Sequence, residues 1–239
     1  TAITDLTLTA LATHEGSALV FLPGEAEIRR AEKLLSAQLP RDCTLAPLFG
    51  AMDFEAQQAA LRPLKKGRKV VLATAIAETS LTIPDISIVV DAGLSRRALF
   101  DAASAMSRLV TEKASRAEAT QRAGRAGRVM AGHCYKLWTK GEDGARAAFP
   151  PAEIAVGDLA GLALELAVWG TAPQDLSFVT HPHPGRYEEA RALLHMLDAV
   201  DASGRITAHG RALAALPLHP RLAHMLVRGG TGAAEVAAL

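Results

Sequence analysis

Residues 121–128 read QRAGRAGR, three arginines spaced three apart with only alanine and glycine between them. On a helix each residue advances roughly 100°, so with Gln121 at zero, Arg125 falls at about 40° and Arg128 at about −20°. Gln121, Arg125 and Arg128 therefore share one face, while Arg122 points elsewhere and reads as structural. Ala123, Gly124, Ala126 and Gly127 leave a low surface over which a bulky group can approach, although glycine weakens a helix interior. One amide and two guanidinium forks above such a surface suit a polyphosphate, which arginine binds bidentately. A solvated basic helix accounts for the same residues, so the rest of the chain has to decide.

A second stretch, residues 68–93, reads RKVVLATAIAETSLTIPDISIVVDAG. A β-rich run ends at Thr74 and gives way to Ala75, Ala77, Thr79, Ser80 and Thr82. In open α/β sheets, ligands bind beyond the carboxyl ends of strands, and hydroxyls and backbone N–H groups there can bond phosphate oxygens. Serines and threonines that merely cap turns would look the same. Glu78 either orients this loop or is solvated.

These segments need elements to hold them. Short β-rich runs at 17–23, 43–49, 68–74, 86–93 and 132–138 alternate with helical patterns at 25–39 and 53–64, the second capped by Asp53. Strands alternating with helices predict an α/β fold, a mostly parallel sheet with helices on both faces. Residues 94–113 alternate around a small-residue centre and read as a projecting β-hairpin. The charged, Gly/Pro-rich KGEDGARAAFPP at 140–151 marks a boundary. Beyond it, helices at 156–170 and 187–200 precede the tight turn DASGRIT and a short strand, the order of a winged helix. A further helix occupies 216–229. The expected division is 1–141, then a winged-helix domain at 151–215, then the start of another helical domain at 216–239.

Composition bounds the partners. The chain has 239 residues, 49% of them hydrophobic, enough for real cores. A net charge of +1 gives no global argument for nucleic acid, so any such site is a local patch. Cys43 and Cys134 lack ligand-like spacing and read as reduced core residues of a cytoplasmic protein. No apolar run reaches the length of a membrane span, and no signal peptide is evident. The sequence starts at Thr1 rather than Met and reads as a piece of a longer protein. His181 and His183 sit between prolines with no third ligand nearby, so no metal site is expected. Trp138 and Trp169 fall in apolar patterns and read as core.

The stretches SALVFLPGEAEI, ATAIAETSLTIP…VVDAG and QRAGRAGR, in this order and at these separations, resemble motifs IV, V and VI of DEAH/RHA-type superfamily 2 helicases. DLAGLALELAVWG and LPLHPRLAHML resemble the bacterial HrpB-type branch, so the resemblance covers essentially the whole chain. It implies a second RecA-like domain followed by a winged helix. Gln121 matches the glutamine that positions the attacking water and γ-phosphate. Arg125 and Arg128 match two arginine fingers, groups that contribute roughly 10³ to 10⁵ in rate where they have been dissected.

The resemblance also implies that Thr74, Ser80 and Thr82 touch the nucleic-acid backbone or relay nucleotide state, and that Pro23 and Gly24 lie near its path. Residues 94–113 match a strand-separating hairpin, to which Arg96, Arg97 and Arg108 give basic character. Two positions depart from the pattern. Ala75 stands where an asparagine is usual, removing one polar contact. Leu61 stands where relatives stack a phenylalanine on adenine, so it offers apolar cover without a π-face.

The implied cofactor is ATP with Mg²⁺. A P-loop needs Gly-Lys and a DEAH box needs Asp-Glu, and the chain contains neither pair. The phosphate cradle and the Mg²⁺ ligands are therefore expected from an upstream RecA-like domain, leaving this chain inactive by itself. The implied partners are that domain and single-stranded nucleic acid, RNA ahead of DNA. The rival classes are a non-enzymatic nucleic-acid-binding module with a degenerate RecA-like domain, and a protein-interaction scaffold. An intact Gln121/Arg125/Arg128 face argues against both.

Overall fold

Five short aliphatic runs form one parallel sheet in a computed structural model that describes residues 1–78, 83, 85–101, 106–128 and 131–234, the side chain at 231 excepted. Ser80 and Thr82 lie outside the described residues. In chain order the first elements are α1 (Ala2–Thr13), β1 (Ser17–Phe21), α2 (Glu25–Ser36), β2 (Cys43–Leu48), α3 (Phe54–Leu61), β3 (Arg68–Ala73) and β4 (Ile86–Asp91). There follow β5 (Leu94–Asp101), β6 (Met106–Lys113), α4 (Arg116–Ala123), β7 (His133–Lys136) and the single turn α5 (Lys140–Gly144). The sheet order is β2-β3-β1-β4-β7, and β5 and β6 form a separate two-stranded hairpin where the sequence predicts one.

The central strands are apolar throughout because both faces are covered, as parallel sheets require. Ala18, Val20, Val70, Leu72, Ile88 and Val90 pack with Ile28, Ala31 and Leu35 of α2 and with Ala10 and Leu11 of α1. The alternate set, Leu19, Phe21, Val71, Ala73 and Val89, packs with Ala60 of α3 and with Ala126. Period-two alternation thus sorts the side chains to two sides. The sheet and its helices make up one compact unit, Thr1–Arg97 with Leu109–Pro150. Residues 142–150 belong to it through Arg146, whose guanidinium donates to the carbonyls of Gly93 and Ala114, both at 2.8 Å.

The arginine segment departs from expectation. Helix α4 starts in a reciprocal cap, Glu118 N to Ser115 Oγ at 3.2 Å and Ser115 N to Glu118 Oε2 at 2.7 Å. It stops at Ala123, however, with Gly124 as its C-cap. The amides of Arg125 and Ala126 then bond the carbonyls three residues back, at 3.0 and 3.2 Å. A tighter turn carries the last two arginines, which follows from placing glycines where a helix would have to continue.

The second unit, Ala98–Arg108 with Pro151–Leu239, is helical beyond residue 150. It contains α6 (Glu153–Val156), α7 (Ala160–Trp169), α8 (Pro184–Met196), α9 (Ala208–Ala214) and α10 (Pro220–Gly229). Leu164, Leu194, Val200 and Leu213 lie in its core. The expected short strand is one antiparallel bridge, Val200 to Ile206, closed by Asp201 Oδ1 accepting from Ser203 N at 2.8 Å and Arg205 N at 3.0 Å.

Four residues expected in the core are corrected. Trp169 is 69% exposed, because it ends α7 beside Gly170, which turns the chain in the left-handed region. Trp138 is half-buried as a platform for Arg146, 4.0 Å above its ring. Cys43 is half-buried and Cys134 exposed, both on the edge strands β2 and β7 rather than in the core.

Candidate functional site

Arg122 anchors the site. It is 1% exposed and every polar group of its guanidinium has a partner. Nε donates to Glu78 Oε1 at 2.7 Å, Nη1 to Asp91 Oδ1 at 2.9 Å and to Leu94 O at 3.1 Å, and Nη2 to Ser95 Oγ at 2.7 Å. The guanidinium also lies over the Phe21 ring, 5.2 Å from its centroid. Burial opposes its charge, but Asp91 and Glu78 outweigh that and hold the guanidinium above its ordinary range. Burial pushes the Glu78 carboxyl up, against the pull of Arg122. Arg122 thus ties α4 to the loop after β3, to the end of β4 and to the start of β5. Of the two readings of Glu78, orienting the loop or being solvated, the structure has the first.

Of the three polar groups singled out in the sequence, Gln121 lies on the last turn of α4, before this anchor, and Arg125 and Arg128 lie on the turn beyond it. Gln121 and Arg128 are exposed and Arg125 is half-buried, its Nη2 donating to the carbonyl of Glu78. Burial and the nearby charge of Arg128 both depress Arg125 below its ordinary range. A Cβ on Gly127 would meet nothing within 4 Å, so the surface beside these groups is open.

Leu61 lies on the same face of the sheet, packed on the cluster that contains Ala126. It is the last residue of α3, and the helix end around it is fixed by Lys69, whose buried Nζ donates to Ala60 O at 2.8 Å and to Arg62 O. A cation at a helix C-terminus is favoured there. Leu61 lines a pocket of about 130 Å³ at the amino ends of β1 and β3.

At the opposite ends of the strands a cleft of about 380 Å³ brings together Pro23, Gly24, Thr74 and Arg96, with Gly50 and Leu109. This is where ligands enter open α/β sheets. Pro23 and Gly24 form the link from β1 into α2, whose first turn begins at Glu25. Arg96 sits in the cleft, 3.7 Å from Glu27 and 3.4 Å from Thr111 Oγ1, and a Cβ on Gly24 would overlap its guanidinium. Gly93, at φ 71°, makes the turn that sends β5 past the cleft.

Arg97, one residue on, points the other way, as a strand requires. Its guanidinium is taken up by Glu112 and by Glu118, the latter at 2.6 Å. Arg97 is therefore not brought together with Arg96. Arg108 is exposed on β6 and belongs to the second unit.

Sequence reasoning passed over Ser95, Glu118, Lys69 and Arg146, each at most 8% exposed. The capping pair Ser115/Glu118 was the one available signal, since serine followed three residues later by glutamate marks a helix start. Among the described residues no group of three or more His, Cys, Asp or Glu could hold a metal ion, and no helix is long and apolar enough to cross a membrane.

The helicase conserved C-terminal domain model matches residues 2–130, and that of the helicase associated domain (HA2), winged-helix, matches residues 190–218. The chain is 43% identical over 228 residues to the ATP-dependent RNA helicase HrpB of Escherichia coli, covering 95% of this chain and 28% of that protein. It is 35% identical over 224 residues to the ATP-dependent RNA helicase HrpA homolog of Haemophilus influenzae, covering 90% and 17%. The crystal structure of the E. coli DEAH/RHA helicase HrpB superposes with a TM-score of 0.89 at 42% identity, over 95% of this chain and 29% of that one. The chain thus spans under a third of the length of these relatives. On its sequence match, its parallel sheet and its winged-helix segment, the chain belongs to the helicase conserved C-terminal domain family, in the DEAH/RHA, HrpB-type branch.

Proposed function

We propose that this chain is the second RecA-like domain, with the adjoining winged helix, of an ATP-dependent RNA helicase of the HrpB type. The observation that carries this reading is the open glycine surface beside Arg125 and Arg128, on a turn anchored by Arg122. ATP with Mg²⁺, when bound, supplies the phosphoryl group whose transfer to water drives the cycle. Gln121 would orient that water, and Arg125 and Arg128 would stabilise charge on the transferring group. The P-loop and the Mg²⁺ ligands would come from an upstream RecA-like domain, since this chain has no Gly-Lys and no Asp-Glu pair. Leu61 would cover the base.

The cleft holding Pro23, Gly24, Thr74 and Arg96 would carry single-stranded RNA along the carboxyl ends of the strands, with Ser80 and Thr82 as further contacts. Arg108 would add charge on the hairpin. Closure and reopening of the two RecA-like domains would move the strand. The HrpB and HrpA relatives support RNA ahead of DNA, and the proposed place of work is the cytoplasm. The proposed domain limits are 1–141, 151–215 and 216–239.

ATP hydrolysis tests the reading. This chain alone should be inactive, and the full-length protein should hydrolyse ATP faster with single-stranded RNA present. Hydrolysis by this chain alone, or undiminished turnover in full-length Arg125→Ala, would refute it.

A further inference from the structure

Two buried ion groups lie side by side in the first unit. One is Arg122 with Glu78 and Asp91, and its Glu78 also accepts from Arg125 through the main-chain carbonyl. The other is Glu118 with Arg97, to which Ser115 and Glu112 are bonded. Ser95 bonds both. Its hydroxyl accepts from Arg122 Nη2 at 2.7 Å and donates to Glu118 Oε1 at 2.9 Å, and the residue is 3% exposed. The next residue on the strand is Arg96, and both residues line the cleft.

We propose that Ser95 is a positioning residue that couples the arginine turn to the hairpin strand, so that occupancy of one site is felt at the other. The proposal rests on reading Arg125 as an arginine finger and the cleft as the RNA path. An anion drawing Arg125 toward it changes the hold on the Glu78 carbonyl. Glu78 is held at its other end by Arg122, so the shift reaches the Arg122 guanidinium. Arg122 passes it to Ser95 and hence to the strand that presents Arg96. Arg122 and Ser95, the middle of this path, are buried, and in such surroundings hydrogen bonds polarise one another and hold defined geometry. A hydroxyl suits the joint because it is donor and acceptor at once. Alanine would leave Arg122 Nη2 without this acceptor and Glu118 without this donor.

The test uses the full-length protein and a poly(U) oligonucleotide, measuring ATP turnover without and with RNA in wild type, Ser95→Ala, Ser95→Thr and Arg125→Ala. The expected result for Ser95→Ala is RNA-free turnover close to wild type with stimulation by RNA reduced about ten-fold, the size of one hydrogen bond to a charged group. Ser95→Thr, which keeps the hydroxyl, should restore stimulation. Full stimulation in Ser95→Ala overturns the proposal. So does an equal loss with and without RNA accompanied by a lower melting temperature, which marks a purely structural role.

If Ser95→Ala does not fold, Ser95→Cys, which keeps the size of the side chain but is a weaker donor and acceptor, decides. Reduced stimulation supports the proposal and wild-type stimulation overturns it. Arg125→Ala separates the two levels. If it retains turnover, the finger reading falls and this inference with it; if it is inactive while Ser95→Ala responds normally to RNA, the inference falls alone.

Discussion

Arg122 and Arg125, three residues apart, hold the same residue by different groups. Arg122 Nε takes the carboxylate of Glu78 at 2.7 Å, and Arg125 Nη2 takes its main-chain carbonyl. One arginine is sealed in the protein and the other is half-buried at the edge of an open surface. The same residue type therefore does two jobs within one turn, and their substitutions should separate.

Arg122→Ala should act on stability. It strips the counter-charge from buried Asp91 and Glu78, and breaking a buried pair in this way costs roughly 3–5 kcal/mol. A fall in melting temperature on the order of 10 °C is expected by circular dichroism or calorimetry. Arg125→Ala, by contrast, should change the melting temperature little and lower ATP turnover of the full-length protein by roughly 10³-fold or more. A melting curve for Arg122→Ala that overlays wild type would contradict the anchor role.

Glu118 gives the protein a dependence on acid. Burial alone would raise its carboxyl, but bonds from Ser115 and Ser95 and the charge of Arg97 outweigh this and hold it below its ordinary 4.5. A depressed carboxyl contributes stability that is present above the unfolded value and lost as pH falls through the folded one. The melting temperature of wild type should therefore decline as pH drops below about 4.5. Glu118→Gln should be less stable at neutral pH and show a shallower decline. Parallel curves for the two proteins across this range would remove Glu118 as the cause.

The sheet was legible because both of its faces are buried. Runs such as SALVF and ISIVVD have no other stable use, and the helices between them were found from amphipathic spacing and Asp53, whose carboxylate does accept from Ala56 N at 2.8 Å. Helix α1 was not seen. Threonine is a poor residue for a helix interior, yet Thr7 and Thr9 bond the carbonyls of Ile3 and Asp5 four residues back and so satisfy themselves within a helix.

The site divides in the same way. The types and order of Gln121, Arg125 and Arg128 could be read, but the helix that was to align them ends at Ala123. Glu118 could be read only as a helix cap with Ser115, and Ser95 could not be read at all, because its meaning lies in distant partners, 27 residues from Ser95 to Arg122 and 23 from Ser95 to Glu118.

The neighbours Arg96 and Arg97 offer a contrast set by strand alternation. Arg96→Ala should weaken binding of single-stranded RNA and reduce the slope of log affinity against log salt by about 0.7, the share of one phosphate contact. Arg97→Ala should leave that slope unchanged and lower stability, since it uncouples Glu112 and Glu118. Fluorescence anisotropy at several salt concentrations, paired with melting curves, reads both effects. A changed slope for Arg97→Ala would mean that its side chain leaves the ion group when RNA binds.

Leu61 bears on the choice of nucleotide. It packs on the Ala60/Ala126 cluster, and its helix end is clamped by Lys69, so a larger side chain at 61 would be presented from a fixed backbone. Leucine gives a base apolar cover that does not distinguish one ring from another. A phenylalanine adds ring stacking worth about 0.5–1.5 kcal/mol beyond its buried area, which corresponds to roughly a 2- to 13-fold change in affinity. Leu61→Phe in the full-length protein should therefore lower the KM for ATP and GTP by that order and leave the KM for CTP and UTP less affected, because purines offer the larger stacking surface. The rate at saturating nucleotide should stay near wild type, since the arginine turn is untouched. Equal KM changes for all four nucleotides would indicate that residue 61 fills space beside the site without touching the base.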